Sequence, residues 1–225
     1  MPINNISTST YRFLEKLKNN NNREWFEENK KEFKKEEALV KKIFIELQNE
    51  MNKHDEIDKM KMFRIYRDIR FSKDKTPYKT HFSASFHRFK PKLRGGYYVH
   101  IEPENTFLAC GFWDPDKGDL LRIRKELETD AAEMRKIIEN REFKKTFGDI
   151  AGDELKSAPK GFDKNHPDID LIKKKQYVFI KKFSEKEATS PDFLKIVNES
   201  FKVVRPWFNY MSEVLTTDLN GVSMV

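Results

Sequence analysis

Apolar residues recur along the chain with two periods, and the switch between them separates helical ends from a stranded middle. Tyr11, Leu14 and Leu17 fall on one face of a first helix over residues 7–18, with Phe13 beside them. The asparagine run at 19–22 breaks that helix and starts the next, because Asn21 with Glu24 three residues on is a capping-box arrangement. The second helix carries Phe26, Phe33, Val40, Phe44, Leu47 and Met51 at spacings of three, four and seven. Its stretch 30–37 is almost wholly charged, so a bend or break is expected there, with the lysines on a solvated face. Residues 54–61 are polar and predict a loop.

From Met62 the period falls to two. Phe63 and Ile65 point one way, and Arg64, Tyr66 and Asp68 the other. A tight charged loop follows, closed by Pro77. The next strand sets Phe82, Ala84 and Phe86 against His81, Ser83, Ser85 and His87. A basic connector at 88–96 ends in a glycine pair and leads to Tyr97, Val99 and Ile101, which alternate with Tyr98, His100 and Glu102. After a turn at 103–105, residues 107–113 are apolar on both faces and predict a central or covered strand.

Helical spacing returns with Leu120, Ile123 and Leu127, continued by Ala131, Met134 and Ile138, and Gly148 stops a further turn over 141–147. Residues 150–167 read as a long surface connection, followed by a short helix over 168–175 and a strand over 176–183. Ser190-Pro191 is a strong helix start. The last helix carries Val197, Phe201, Val204, Phe208, Met211 and Leu215, with Pro206 predicting a kink near Lys202. No repeat or composition shift marks a linker. The expected architecture is α+β, a single domain over 1–225 with an antiparallel sheet of about five strands and helices packed on one face. Its parts are helical 7–53, a sheet core 62–113, helices 116–147, a strand 176–183 and a C-terminal helix 190–218.

Composition narrows the class. Hydrophobic residues at 37% with nineteen phenylalanines supply a core, and charged residues at 36% supply a dense ionic surface, so the chain is a folded globular protein, not a disordered one. The net charge of +7 favours anionic partners but falls short of the concentrated basic stripe of a dedicated nucleic-acid binder. Cys110 is the single cysteine, which excludes an intramolecular disulfide, and its apolar flanks predict a small buried hydrophobe. The start Met1-Pro2-Ile3-Asn4-Asn5 has no signal-peptide pattern, and no apolar run can span a bilayer, so a cytoplasmic location without membrane association is expected.

Several chemistries are excluded by missing motifs: there is no phosphate-binding Gly-rich loop, dinucleotide fingerprint, His-Glu-x-x-His or nucleophile elbow. His100-Ile101-Glu102-Pro103 has the His-x-Glu spacing of zinc deaminases, but that site needs a Pro-Cys-x-x-Cys that one cysteine cannot supply. The main signal is residues 63–81, which hold three arginines, three lysines, two aspartates and two tyrosines. Guanidinium forks offer paired donors to phosphate or carboxylate. Two aspartates, Asp68 and Asp74, cannot fully pair six cations, so at least two of Arg64, Arg67 and Arg70 are expected to reach one anion. The opposing possibility is an ionic lattice that pins the loop.

The second signal is His81, His87, His100 and Glu102, all on the polar side of the alternation. No metal is expected, since no helical ligand spacing is present, but these four residues are the ones that would hold one. In the connector, Arg88, Lys90, Lys92 and Arg94 flank Phe89, an arrangement suited to single-stranded nucleic acid but also to plain solvation. Trp25, Trp113 and Trp207 are expected as core or core-edge anchors.

The run Arg64-Ile65-Tyr66-Arg67-Asp68-Ile69-Arg70-Phe71-Ser72-Lys73-Asp74-Lys75-Thr76-Pro77-Tyr78-Lys79 closely resembles the signature of a bacterial and fungal family known as domain of unknown function 2461. Asn22-Arg23-Glu24-Trp25-Phe26, Gly96-Tyr97-Tyr98-Val99-His100-Ile101-Glu102-Pro103, Gly111-Phe112-Trp113 and Leu121-Arg122-Ile123-Arg124 extend the similarity over nearly the whole chain. The resemblance implies a single-domain family member and carries no activity, cofactor or catalytic residue.

Function is therefore expected from the residues. A phosphorylated or nucleotide-like anion would bind the Arg-rich loop and the polar sheet face, held by Arg64, Arg67, Arg70, Lys73, Lys75 and Lys79 and oriented by Tyr66 and Tyr78. His81 or His100 would move a proton if chemistry occurs. An anionic small molecule is the first partner expected and nucleic acid the second, while cofactor and oligomeric state are left open. The alternative is a non-catalytic interaction module in which the Arg/Asp motif is a structural brace.

Overall fold

The computed structural model describes residues 4–218 and 220–225. Met1, Pro2 and Ile3, considered above for a leader sequence, lie outside the described residues. The fold is α+β, as expected. Five antiparallel strands form one sheet in the order β1-β2-β3-β4-β5, where β1 is Ile57–Met62, β2 Phe82–Arg88, β3 Gly96–Ile101, β4 Thr106–Phe112 and β5 Tyr177–Phe183. Ten helices among the described residues pack against it. The sequential order is what short turns between antiparallel neighbours produce, and β4 is internal, which explains its apolar character on both faces. No helix among the described residues is long and apolar enough to cross a membrane.

Backbone contacts group into two compact units, and β2 to β5 each contribute residues to both. Of the described residues, unit one comprises 4–86, 98–108 and 182–199. Here α1 (Thr8–Asn19) is capped by Ser7 and α2 (Arg23–Glu28) by Asn22, one residue later than the capping-box expectation. Asn29 separates α2 from α3 (Lys30–Met51), so the expected second helix is two, broken just before its charged stretch. The apolar stripe of α3 meets the sheet directly: Phe33 stacks on Phe82 at 6.1 Å, and Phe44 meets Phe86 edge-on at 6.2 Å. Glu36 is buried on the same helix and is satisfied by the hydroxyls of Thr10 at 2.8 Å and Ser9 at 3.1 Å.

The first strand corrects the sequence expectation. β1 occupies residues expected to be loop, and Phe63 lies just past its end. Its N–H still bonds Ser83 O at 2.9 Å, but the Phe63 ring packs against Tyr98 at 6.1 Å, on the face away from Phe82. A strand that starts five residues earlier sets its own register, and the alternation over 63–68 belongs to a bent loop. Phe82, Ala84, Phe86, Tyr97, Val99 and Ile101 are buried as predicted.

Of the described residues, unit two comprises 87–97, 109–181, 200–218 and 220–225. It holds α4 (Lys117–Thr129), α5 (Ala132–Ile138), α6 (Arg141–Phe147), α7 (Ile169–Ile172) and α10 (Arg205–Thr216). The connection over 150–167 is anchored at its start by bridges from Ala151 to Val178 and from Glu154 to Lys174. Past α8 (Glu185–Ala188), the C-terminal helix expected over 190–218 is two helices, α9 (Phe193–Val203) and α10, broken at Val204. Pro206 lies in the first turn of α10, where its missing N–H costs nothing, so the chain stops and restarts where a kink was expected. Val197, Phe201, Val204, Phe208, Met211 and Leu215 are all buried.

Two more expectations are corrected here. Arg88, placed in the solvated connector, is buried: its guanidinium lies 4.7 Å from the Phe208 ring centre and donates to Arg94 O at 2.8 Å. It continues the inward series Phe82, Ala84, Phe86, a period-two signal already present in the sequence. Trp113 is 65% exposed, because it falls beyond the end of β4 on the side opposite Phe112. Trp207 is fully buried and Trp25 is partly so.

Candidate functional site

The Arg-rich loop is cross-linked by its own side chains. Arg67 pairs with Asp74, donates to Thr76 Oγ1 and to Thr76 O at 3.2 Å, and reaches Ser72 Oγ at 3.4 Å. The Thr76 N–H and the Arg67 guanidinium hold Asp74 down to about 2. Arg70 grips Asp68 with two donors, at 2.9 and 2.6 Å, and Lys75 caps Ile69 O at 2.9 Å. Backbone bonds from Arg67 N to Pro77 O and from Lys79 N to Ile65 O zip the two arms together, with Tyr66 and Tyr78 bridged between them. Tyr78 is buried against Phe26 at 3.9 Å, while Tyr66 is half-exposed beside it. Asn21 clamps the returning arm, donating to Tyr78 O at 2.9 Å and accepting from Tyr78 N at 3.1 Å.

The two aspartates therefore take Arg67 and Arg70. Among the described residues no carboxylate pairs with Arg64, Lys73 or Lys79. Lys73 stands exposed on the loop. Lys79 is half-buried, with its ammonium 5.4 Å from the Phe63 ring centre, and Lys61 approaches the same ring at 5.6 Å. Burial, helped by the charge of Arg64, lowers the Lys79 pKa below its ordinary value.

The clamp on Tyr78 delivers Lys79, Thr80 and His81 to the polar face of the sheet. There His81 enters β2, and His100 and Glu102 share one side of β3 and its continuation. His100 Nε2 lies 3.1 Å from Glu102 Oε2, and His100 Nδ1 lies 3.1 Å from the Tyr98 hydroxyl. The His100 ring is buried, stacked on Phe107 at 4.7 Å, and the His81 ring lies beside it at 4.1 Å. Thr80 donates to Glu102 Oε1 at 2.6 Å and Asn105 to Oε2 at 3.1 Å. The turn is fixed underneath by Thr106, which donates to Glu102 O at 2.9 Å and shares a 2.7 Å bond with the buried Tyr11 hydroxyl.

These surroundings set the protonation states. Burial and the neighbouring His100 push His81 down to about 4, and burial likewise lowers His100, so both rings are neutral near pH 7. Burial opposes ionisation of Glu102, but hydrogen bonds from Thr80, Asn105 and His100 outweigh it and hold its pKa below the ordinary value. Neutral imidazoles beside a fixed carboxylate can exchange protons or ligate a cation.

Of the residues expected at the site, His81, His100 and Glu102 come together, Lys79 lies near His81, and Arg64 lies near Lys79. His87 is exposed and does not join the group of His81, His100 and Glu102, because it lies six residues further along β2. Glu102 is committed to Thr80, Asn105 and His100. Thr80, Asn105, Phe107 and Lys61 were not foreseen. Each acts across strands or turns, and only the polar parity of β2 and β3 hinted at them.

The fold and this face define an α+β protein whose sheet carries a histidine–carboxylate cluster, with Lys79 beside it paired to no carboxylate among the described residues. The chain belongs to the family of conserved hypothetical proteins DUF2461, whose model matches residues 9–210. No curated protein and no solved structure matches the chain.

Proposed function

We propose that the protein binds an anionic ligand, phosphorylated or nucleotide-like, on the polar face of its sheet. Lys79 and Arg64 hold the charge, Phe63 and Tyr98 form the apolar wall, and His81 and His100 are placed to move a proton. The observation that carries this is Lys79: a half-buried ammonium with no carboxylate partner among the described residues, lying beside a second cation. Unpaired cations held together cost stability, and an anion relieves that cost.

The test is thermal unfolding in phosphate or pyrophosphate against chloride at matched ionic strength. Multivalent anions also stabilise proteins by surface exclusion, so the excess must be sought in variants. Lys79→Met keeps the aliphatic stem over Phe63 and should lose the excess stabilisation, whereas Arg70→Ala should keep it. An equal response in the parent, Lys79→Met and Arg64→Ala would defeat the proposal. A second reading draws on the closed pairing of Arg67 with Asp74 and Thr76: the motif braces the fold for a non-catalytic interaction module. Loss of the excess response in Arg70→Ala alone would fit neither account.

A further inference from the structure

We infer that His81, His100 and Glu102 form a binding site for a divalent transition metal, with two imidazoles and one carboxylate as its protein ligands. One ligand atom from each residue lies within 4.8 Å of the other two. Donors on one ion, bound at about 2.0–2.2 Å, sit about 3.0–3.5 Å apart. The His100–Glu102 pair, at 3.1 Å, already meets that spacing. Only His81 must move closer, and no hydrogen bond to its side chain restrains it among the described residues.

The supporting groups are those a metal centre uses. The ring nitrogen of His100 that would not bind the ion contacts the Tyr98 hydroxyl, which can accept its proton as readily as donate one. Glu102 is oriented by Thr80 and Asn105, and the His100 plane is set by Phe107. Three protein ligands leave open positions for water or a ligand oxygen, the arrangement of catalytic zinc sites and of two-histidine, one-carboxylate iron sites. Magnesium and calcium fit poorly, since both prefer oxygen donors throughout. The purely structural alternative, a His–Glu pair on a sheet face, accounts for His100 and Glu102. It leaves unexplained a half-buried His81 ring with no hydrogen-bond partner among the described residues, its centre 4.1 Å from that of a second imidazole.

With a metal bound, the two imidazoles would serve as its ligands and not move a proton, and the site is tested with metal alone, so that its failure is distinct from failure of anion binding. The full chain, stripped with chelator, is titrated with Zn²⁺ and Mn²⁺ by calorimetry. One equivalent should bind to the parent and to His87→Ala. Affinity should fall by more than the about 10–100-fold typical of outer-shell changes in His81→Ala and in Glu102→Gln. Absence of saturable binding, or binding that survives both substitutions, overturns the proposal. If those variants fail to fold, the parent decides: paramagnetic Mn²⁺ should broaden the ring resonances of His81 and His100 before those of His54, His87 and His166. Uniform broadening, or broadening first at another histidine, overturns it equally.

Discussion

Replacing Asn21 with alanine should destabilise the protein by about 2 kcal/mol, because among the described residues the Asn21 side chain is the sole hydrogen-bond partner of the Tyr78 backbone. The two bonds, at 2.9 and 3.1 Å, hold a residue that is only 4% exposed. Each bond contributes about 1 kcal/mol net, and a buried backbone group left unpaired costs about 1–3 kcal/mol. Asn21 is itself only partly buried, so water can reach the vacated space and the loss stays near the lower bound. In a protein of this size, that corresponds to a fall in Tm of about 4–8 °C. Urea unfolding should show a lower midpoint with an unchanged slope. Asn21→Asp keeps the acceptor for the Tyr78 N–H but turns a carboxylate toward its carbonyl, and should unfold at least as readily as the parent. A loss below about 0.5 kcal/mol in Asn21→Ala, the scale of an ordinary surface change, would refute the clamp.

Phe208→Ala should cost about 3–5 kcal/mol by chemical denaturation, since the ring is fully buried beneath Arg88 and against Tyr97; a loss under about 1 kcal/mol would mean the ring is not packed there. Stability should also fall as the pH is lowered from about 6.5 toward 4. His81 has a folded pKa near 4 against an ordinary 6.5, so over that window the unfolded chain binds the extra proton, and below it the contribution is fully lost. His100, lowered in the same sense, adds to the effect. Urea midpoints at pH 7 and pH 5 should therefore differ less in His81→Ala than in the parent, and an equal difference would count against a neutral, buried His81.

Much of the fold is legible because one physical signal decides each element. Burial on one face imposes period two on Phe82, Ala84 and Phe86 and a three-four spacing on the stripe from Val197 to Leu215, and both survive intact. Failures fall where two signals compete. Residues 57–62 are too polar to announce an edge strand, because an edge strand need bury only one side lightly. Arg88 follows its strand's parity into the core against the preference of its charge, held by Phe208 and the carbonyl of Arg94. In the candidate site the polar parity of His81, His100 and Glu102 was visible, but their convergence was not, since it depends on which strands are neighbours. Charge counting likewise foretold a surplus of cations without revealing which two arginines the aspartates would take.

The central claim is that the sheet face beside Lys79, not the arginine loop, receives the anion. Crystals soaked in tungstate, a heavy phosphate mimic, test it most directly through the anomalous signal. The account predicts a peak within ion-pair reach of Lys79 Nζ and the Arg64 guanidinium, on the side of Phe63 and Tyr98. A peak seated instead on Arg67 and Arg70, with none at Lys79, would contradict it.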